Sequence, residues 1–347
     1  MTAAVLTAHG GPDKLEVRDD VAMPRPEAGQ VLVRVTAAGV NNTDLWSRQG
    51  AYGNAEDPGA VAGWRGVPLE FPRIQGGDIA GWIADTGEGV DPDRKGQRVV
   101  VDPAVYDREA DDATPCELLG SEHDGGFASF AVVDARRAHG VDGSPLSDAQ
   151  LACVPIAYGT AMGMLDRAEV DAGQTVVVTG ASGGVGLALV ELAAARGATV
   201  IALTSEGKHH VVRAAGATRT VDRSTEDLAA AIRQAAPSSG VDVVADVVGG
   251  EVFSTVFALL RGGGRLVTAG AVAGPIVQFD LRLLYLRQRR MIGSSMHTPA
   301  QFARLVDLAR HGRIRPRVAA TYPLERIHDA QRDFAERRHV GNFVMLP

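Results

Sequence analysis

The segment "TVVVTGASGGVGLALVELAAARGATVIALT", residues 175–204, constrains the fold more than any other part of this chain. An unbroken apolar run precedes a glycine-rich turn, a long alanine- and leucine-rich stretch and a second apolar run. Strands without polar–apolar alternation are those buried on both faces, as in a parallel sheet covered by helices. The same texture predicts strands at 175–179, 199–204, 241–248 and 265–269, with helices at 185–196, 208–215, 225–235 and 251–260. Strand and helix in alternation predict a doubly wound α/β unit.

The turn itself reads Ala181-Ser182-Gly183-Gly184-Val185-Gly186 after Gly180, so alanine takes the first glycine position of the dinucleotide fingerprint. Gly183 would let the backbone approach a pyrophosphate held at the helix N-terminus, and Gly186 would let helix and strand pack closely. An NAD site expects an acidic residue about 20 positions on, accepting from the ribose 2′-hydroxyl. Ser205 stands there instead, followed by Lys208. A carboxylate would repel a 2′-phosphate, whereas a hydroxyl and an ammonium bind one, so NADPH is the expected cofactor. His209, His210 and Arg213 follow closely, the histidines expected in solvent.

At 347 residues the chain is long for one core, and two domains are expected. Up to about residue 135 the apolar segments are short and bounded by Gly, Pro and Asp, and Val31, Val33 and Val35 alternate as in a strand with one buried face. The expected division is 1–145 with 296–347 as a β-rich domain and 146–295 as the nucleotide-binding domain. A helix at 299–311, the segment "RPRVAATYPL", a helix at 327–338 and a terminal strand "NFVML" close the chain; that strand, lacking a parallel crossover partner, is assigned to the β-rich domain. The irregular stretch 52–71 is long enough to be a functional loop over a cleft.

A net charge of −7 from interspersed residues argues against a nucleic-acid partner, and the basic cluster "LRLLYLRQRR" is expected to be a solvated helix face. Only Cys116 and Cys153 are present, which excludes a disulfide framework. No segment approaches 18 uninterrupted apolar residues and the opening residues lack a basic region before an apolar run, so a cytoplasmic, membrane-free protein is expected. No CxxC, HxxxH or HExxH spacing occurs, and His123 among Cys116, Glu117, Glu122 and Asp124 is expected to be a polar surface loop. No metal is expected.

Polar residues also gather in "AAGVNNTDLWSRQGAY", 37–52. With "GGPDKLEV", "GGDIAGW", "GGFASFAVV", "TGASGGVG", "VADVVGG" and "GGGRLVTAGA" in order, the chain resembles the medium-chain dehydrogenase/reductase superfamily over nearly its whole length, and within it the zinc-independent quinone oxidoreductase-like branch. The resemblance implies a GroES-like catalytic domain, a Rossmann domain inserted in it, an active site in the cleft and a homodimer. Zinc-using relatives carry cysteine, histidine and cysteine where Asn41, Gly77 and, approximately, Ala157 stand here. It also implies cofactor contacts at Thr160, at 180–186, at Ser205, Lys208 and Val248, and at Ala269, Gly270, Ala271 and Val272.

Zinc-free chemistry of that branch reduces a carbon–carbon double bond conjugated to a carbonyl, as in quinones, enones and enoyl substrates. Negative charge developing on the carbonyl oxygen must then meet hydrogen-bond donors, and the α-carbon must gain a proton. Tyr52, Asn41 and Thr43 are the candidate catalytic residues: Tyr52 as substrate contact and possible proton donor, Asn41 as amide donor facing the cleft. Thr43 or Asp44 is expected to cap the following helix, and Asp44 would need a strongly raised pKa to act as an acid. Reduction of an imine or simple carbonyl is one alternative, and a nucleotide-occupied scaffold with little turnover is another.

Overall fold

The computed structural model describes residues 1–53 and 61–347. The chain divides into two compact units, Met1–Ile156 with His297–Pro347, and Ala157–Met296. The first division falls at 156/157 rather than 145/146. Helix Asp148–Leu151 is bound into the first unit, where Asp148 accepts from Thr36 Oγ1 at 2.6 Å and from Arg98 Nε at 2.7 Å.

In the first unit the long strand Gln30–Val40 is the hub of a seven-stranded sheet. It pairs antiparallel with Asp78–Thr86, Phe130–Asp134 and the terminal strand Asn342–Leu346. Val31, Val33 and Val35 are all buried in a core shared with Ile79, Ile83, Val99, Val101, Phe127 and Phe343, as their alternation predicts. The terminal strand does have a parallel crossover partner: it lies beside Val318–Pro323, with helix Ile327–Ala335 between them in sequence. Helix Asn42–Gln49 follows Gln30–Val40 with Asn41 alone between them, and ends at Gly50 in the left-handed conformation, φ 70°.

The second unit is built on a six-stranded parallel sheet in the order Arg219–Asp222, Thr199–Thr204, Thr175–Val178, Val241–Asp246, Leu260–Thr268, Arg290–Gly293. Strand order reverses between Thr175–Val178 and Val241–Asp246, the switch point at whose carboxyl ends ligands bind in open α/β sheets. Both outer strands escape the sequence pattern because they are short and charged, as edge strands are. The basic cluster is solvated at Arg282, Arg287 and Arg290, as expected, but is not one helix face. Only Arg282–Tyr285 is helical, Arg290 begins the edge strand, and Arg289 is buried, donating to the carbonyls of Leu283 and Ala258.

Candidate active site

The turn from strand Gln30–Val40 into helix Asn42–Gln49 gathers the polar residues of the first unit. Asn41, rather than Thr43 or Asp44, is the N-cap. The Asp44 carboxylate reaches back to accept the Asn41 N–H at 2.7 Å, one half of a capping box. The Asn41 amide donates to Asp78 Oδ2 at 2.7 Å, and the other Asp78 oxygen accepts the Ile156 N–H at 2.7 Å. Asn41, Asp44 and Asp78 are all buried.

Burial pushes the Asp44 carboxyl up to about 8, opposed by the Asn41 N–H and reinforced by the charge of Asp78. Asp78 is raised to about 7, again chiefly by burial. Asp44 therefore has the raised pKa that an acid there would need, and Asp78 is a partner the sequence did not signal. The pair titrates as a unit around neutrality rather than as two independent acids.

Thr43 and Tyr52, both half-buried, share a hydrogen bond of 2.5 Å between their hydroxyls. Trp46, one turn on, meets the Tyr52 ring edge-on at 5.3 Å. Burial raises the Tyr52 phenol above its ordinary range, Thr43 opposes this, and the charges of Asp44 and Glu122 add to it. Tyr52 is thus a protonated donor near neutral pH and a weak acid. The expected specificity loop, 52–71, lies partly outside the described residues. Its described end is tied to the polar lobe by Trp64 N–H to Ser121 Oγ at 3.0 Å and Arg65 N–H to Glu122 Oε1 at 2.9 Å. In that lobe His123 pairs with Glu117 at 2.7 Å.

Where the resemblance implies a catalytic zinc set in zinc-using relatives, this chain has the Asn41 amide, Gly77 and Ala157. A Cβ on Gly77 would sit 2.7 Å from Ile156 Cδ1 and 3.0 Å from the Leu119 carbonyl, so a side chain there would have to displace the tip of Ile156. Ala157 is a buried alanine. The Cys153 thiol donates to the Ala149 carbonyl at 3.1 Å, and burial holds it well above its ordinary pKa. Among the described residues no three His, Cys, Asp or Glu side chains converge as a metal site would need.

In the second unit the glycines of the turn are set by local geometry. Gly180 takes the left-handed conformation, φ 57°. A Cβ on Gly186 would strike the Gly180 carbonyl, so only glycine lets helix Gly184–Ala195 approach this closely. A Cβ on Gly183 would meet nothing nearer than the Gly180 oxygen at 3.6 Å. That opening lies at the helix N-terminus, the kind of place where backbone N–H groups can meet an anion. Ala181 is buried, with its N–H on Leu203, and Ser182 and Val185 are half-buried.

The other expected contacts lie at the carboxyl ends of neighbouring strands. Val248 follows Val241–Asp246, and residues 269–272 follow Leu260–Thr268. Buried Asp246, unsignalled by the sequence, fixes this rim: it accepts from Thr179 Oγ1 at 2.6 Å and from the N–H groups of Val248 and Gly249 at 3.1 Å. Thr160 is buried with its hydroxyl 3.7 Å from Met296 Sδ. Ser205 caps a short turn carrying Lys208 at the end of Thr199–Thr204. Burial, then the nearby charge of Arg223, lowers the Lys208 pKa, so Arg223 is a cation near Lys208 that the local sequence did not show.

Two family models match the chain: an alcohol dehydrogenase GroES-like domain over residues 27–143 and a zinc-binding dehydrogenase over 184–311. The second match contains none of Asn41, Gly77 and Ala157. A solved structure of a candidate alcohol dehydrogenase from Sinorhizobium meliloti 1021 is 48% identical, with a TM-score of 0.96, covering 100% of this chain and 96% of that one. At 30% identity stand an NAD-dependent alcohol dehydrogenase from Sulfurisphaera tokodaii (100% of both chains), a quinone oxidoreductase from Mus musculus (100% and 98%) and an acryloyl-coenzyme A reductase from Metallosphaera sedula (99% and 99%). With a GroES-like unit, a Rossmann-type parallel sheet and full-length relatives of this kind, the chain belongs to the medium-chain dehydrogenase/reductase superfamily of nicotinamide-dinucleotide-dependent oxidoreductases.

Proposed function

We propose that this oxidoreductase reduces a carbon–carbon double bond conjugated to a carbonyl, in a quinone or an enone/enoyl substrate, with NADPH and without zinc. The observation that carries the reading is the Thr43–Tyr52 hydroxyl pair beside Asn41, where no metal-ligand set is present among the described residues. The cofactor, when bound, supplies hydride to the substrate β-carbon. Negative charge then develops on the carbonyl oxygen, and the paired hydroxyls can donate to it, one directly and the other by polarising its neighbour. Asn41 spends one amide N–H on Asp78 and retains a second. For an enone or enoyl substrate the α-carbon takes its proton from Tyr52 or from water, giving the saturated carbonyl compound. For a quinone the oxyanion takes that proton instead, and the ring hydrogen leaves as a proton for the second oxygen, giving the hydroquinone. The quinone and acyl-coenzyme A reductases among the relatives support this substrate class, while the NAD-dependent alcohol dehydrogenase points elsewhere.

NADPH is favoured by Ser205, Lys208 and Arg223 together. Exposed Glu206 in the same turn, and Asp222, whose carboxylate accepts the Glu206 N–H, are the groups there that would suit an unphosphorylated ribose instead. For the alternative imine or carbonyl reduction, Asp44 and Asp78 hold a proton of suitable pKa. Both are buried and engaged, so neither presents that proton to a substrate.

The test is consumption of NADPH with a quinone, an enone and an imine. Tyr52→Phe and Thr43→Ala are each expected to lower kcat about 10- to 100-fold, the worth of a hydrogen bond to a charged group. Asn41→Ala, which also unbinds Asp78, is expected to lower it at least as far. Turnover with the imine alone would sink the substrate assignment, and unimpaired turnover in Tyr52→Phe and Thr43→Ala would sink the site. Tighter binding of NADH than NADPH to the wild type, or an NADPH affinity unchanged in Lys208→Ala, would overturn the cofactor.

A further inference from the structure

The end of helix Asn42–Gln49 opposite Asn41 borders a cavity of about 410 Å³, which the chemistry above does not use. It is walled by Gly10, Pro12, Leu45, Arg48, Gln331 and Arg332. Its volume falls within the ~300–1,000 Å³ usual for small-molecule sites.

Arg48 is only 4% exposed, yet no carboxylate lies within ion-pair distance of it among the described residues. Its Nε donates to Gln331 Oε1 and its Nη1 to the Gly10 carbonyl, each at 3.0 Å, leaving Nη2 without a protein acceptor among the described residues. Asp13, whose charge reaches Arg48, is exposed and already paired with Lys14 at 2.8 Å. Because Gln331 Oε1 is fixed by Arg48, its Nε2 is turned away from that guanidinium and has no partner, in a residue 3% exposed. Arg332 adds charge at the wall, partly spent on Asp329 at 2.8 Å. A buried guanidinium without a counter-ion is among the most costly arrangements in a protein interior. Here it borders a cavity supplied with donors and apolar surface.

We propose that this cavity binds a small organic carboxylate with a short apolar tail, its carboxylate on Arg48 and its tail against Pro12 and Leu45. The planar guanidinium edge matches a carboxylate. The apolar wall favours a hydrocarbon tail over a free inorganic ion, so phosphate is the competing occupant to be distinguished.

Isothermal titration of the full chain with hexanoate at constant ionic strength tests this, with hexan-1-ol and inorganic phosphate as controls. Hexanoate is expected to bind saturably at one site, and hexan-1-ol not to bind. Arg48→Met removes the charge at similar length. Ala335→Trp, at an exposed position on the cavity wall, fills the space without touching the guanidinium and keeps the test valid should Arg48→Met fold poorly. Each variant is expected to weaken hexanoate binding at least 10-fold. Absence of hexanoate binding to the wild type, equal binding by Ala335→Trp, or Arg48-dependent binding of phosphate in preference to hexanoate would overturn the proposal.

Discussion

Asp44 and Asp78 show how two side chains acquire chemistry from their surroundings. In the unfolded chain each loses its proton near ~3.9. In the folded unit burial holds the protons until about 8 and about 7. Between pH ~4 and ~8 the native state therefore binds more protons than the unfolded state, and stability falls as pH rises through that window. Asp78→Asn removes one titration and the charge that lifts Asp44, so the decline is expected to be shallower in the variant. The Asn41 amide can turn over and present its oxygen to the new amide N–H, preserving the contact. Urea midpoints at pH 5, 6, 7, 8 and 9 measure both slopes. A wild-type midpoint flat from pH 5 to 8, or parallel slopes in the two proteins, would show that the pair does not carry the proton.

The element that most shapes the second unit, strand–turn–helix at Thr175–Ala195, separates binding from packing within a few residues. Gly183→Ala places a methyl where there is space, at φ −77°, which any residue adopts. It is expected to leave the melting temperature of the ligand-free protein unchanged while weakening NADPH binding about 10-fold. Gly186→Ala drives a methyl into the Gly180 carbonyl and is expected to destabilise by about 1–3 kcal/mol, the usual range for overpacking. Equal losses of stability in the two variants would contradict this division. The turn was legible because its glycines, the apolar run before it and the helix after it are local signals. The edge strands Arg219–Asp222 and Arg290–Gly293 were not, since their pairing is decided by neighbours distant in sequence. The same limit hid Asp78 and Asp246, whose roles come from Asn41, Ile156 and Thr179 across the sheets. Capping was misassigned because Asn41, Thr43 and Asp44 are all good N-cap types, and only the tertiary bond from Asn41 to Asp78 distinguishes them.

At the scale of the molecule, the homodimer implied by family resemblance acquires a specific surface to test. Strand Arg290–Gly293 pairs on one side with Leu260–Thr268, and its other edge has no strand partner among the described residues. The segment leading to it is two-faced. Phe279, Leu283 and Leu284 pack into the core of the second unit, while Ile276 is 72% exposed, Tyr285 60% and Leu286 64%. Met291, on the edge strand, is also exposed. An open strand edge flanked by apolar side chains is a hazard for a monomer and a ready two-fold interface for a dimer, since the same patch serves both copies. Sedimentation velocity is expected to give twice the chain mass. The double variant Tyr285→Asp with Met291→Asp, placing charges that face their own copies across the axis, is expected to give the single chain mass with its fold retained by circular dichroism. A wild-type monomer would remove the dimer. A double variant that stays dimeric would move the interface to another surface, leaving the apolar face around the strand edge without a function.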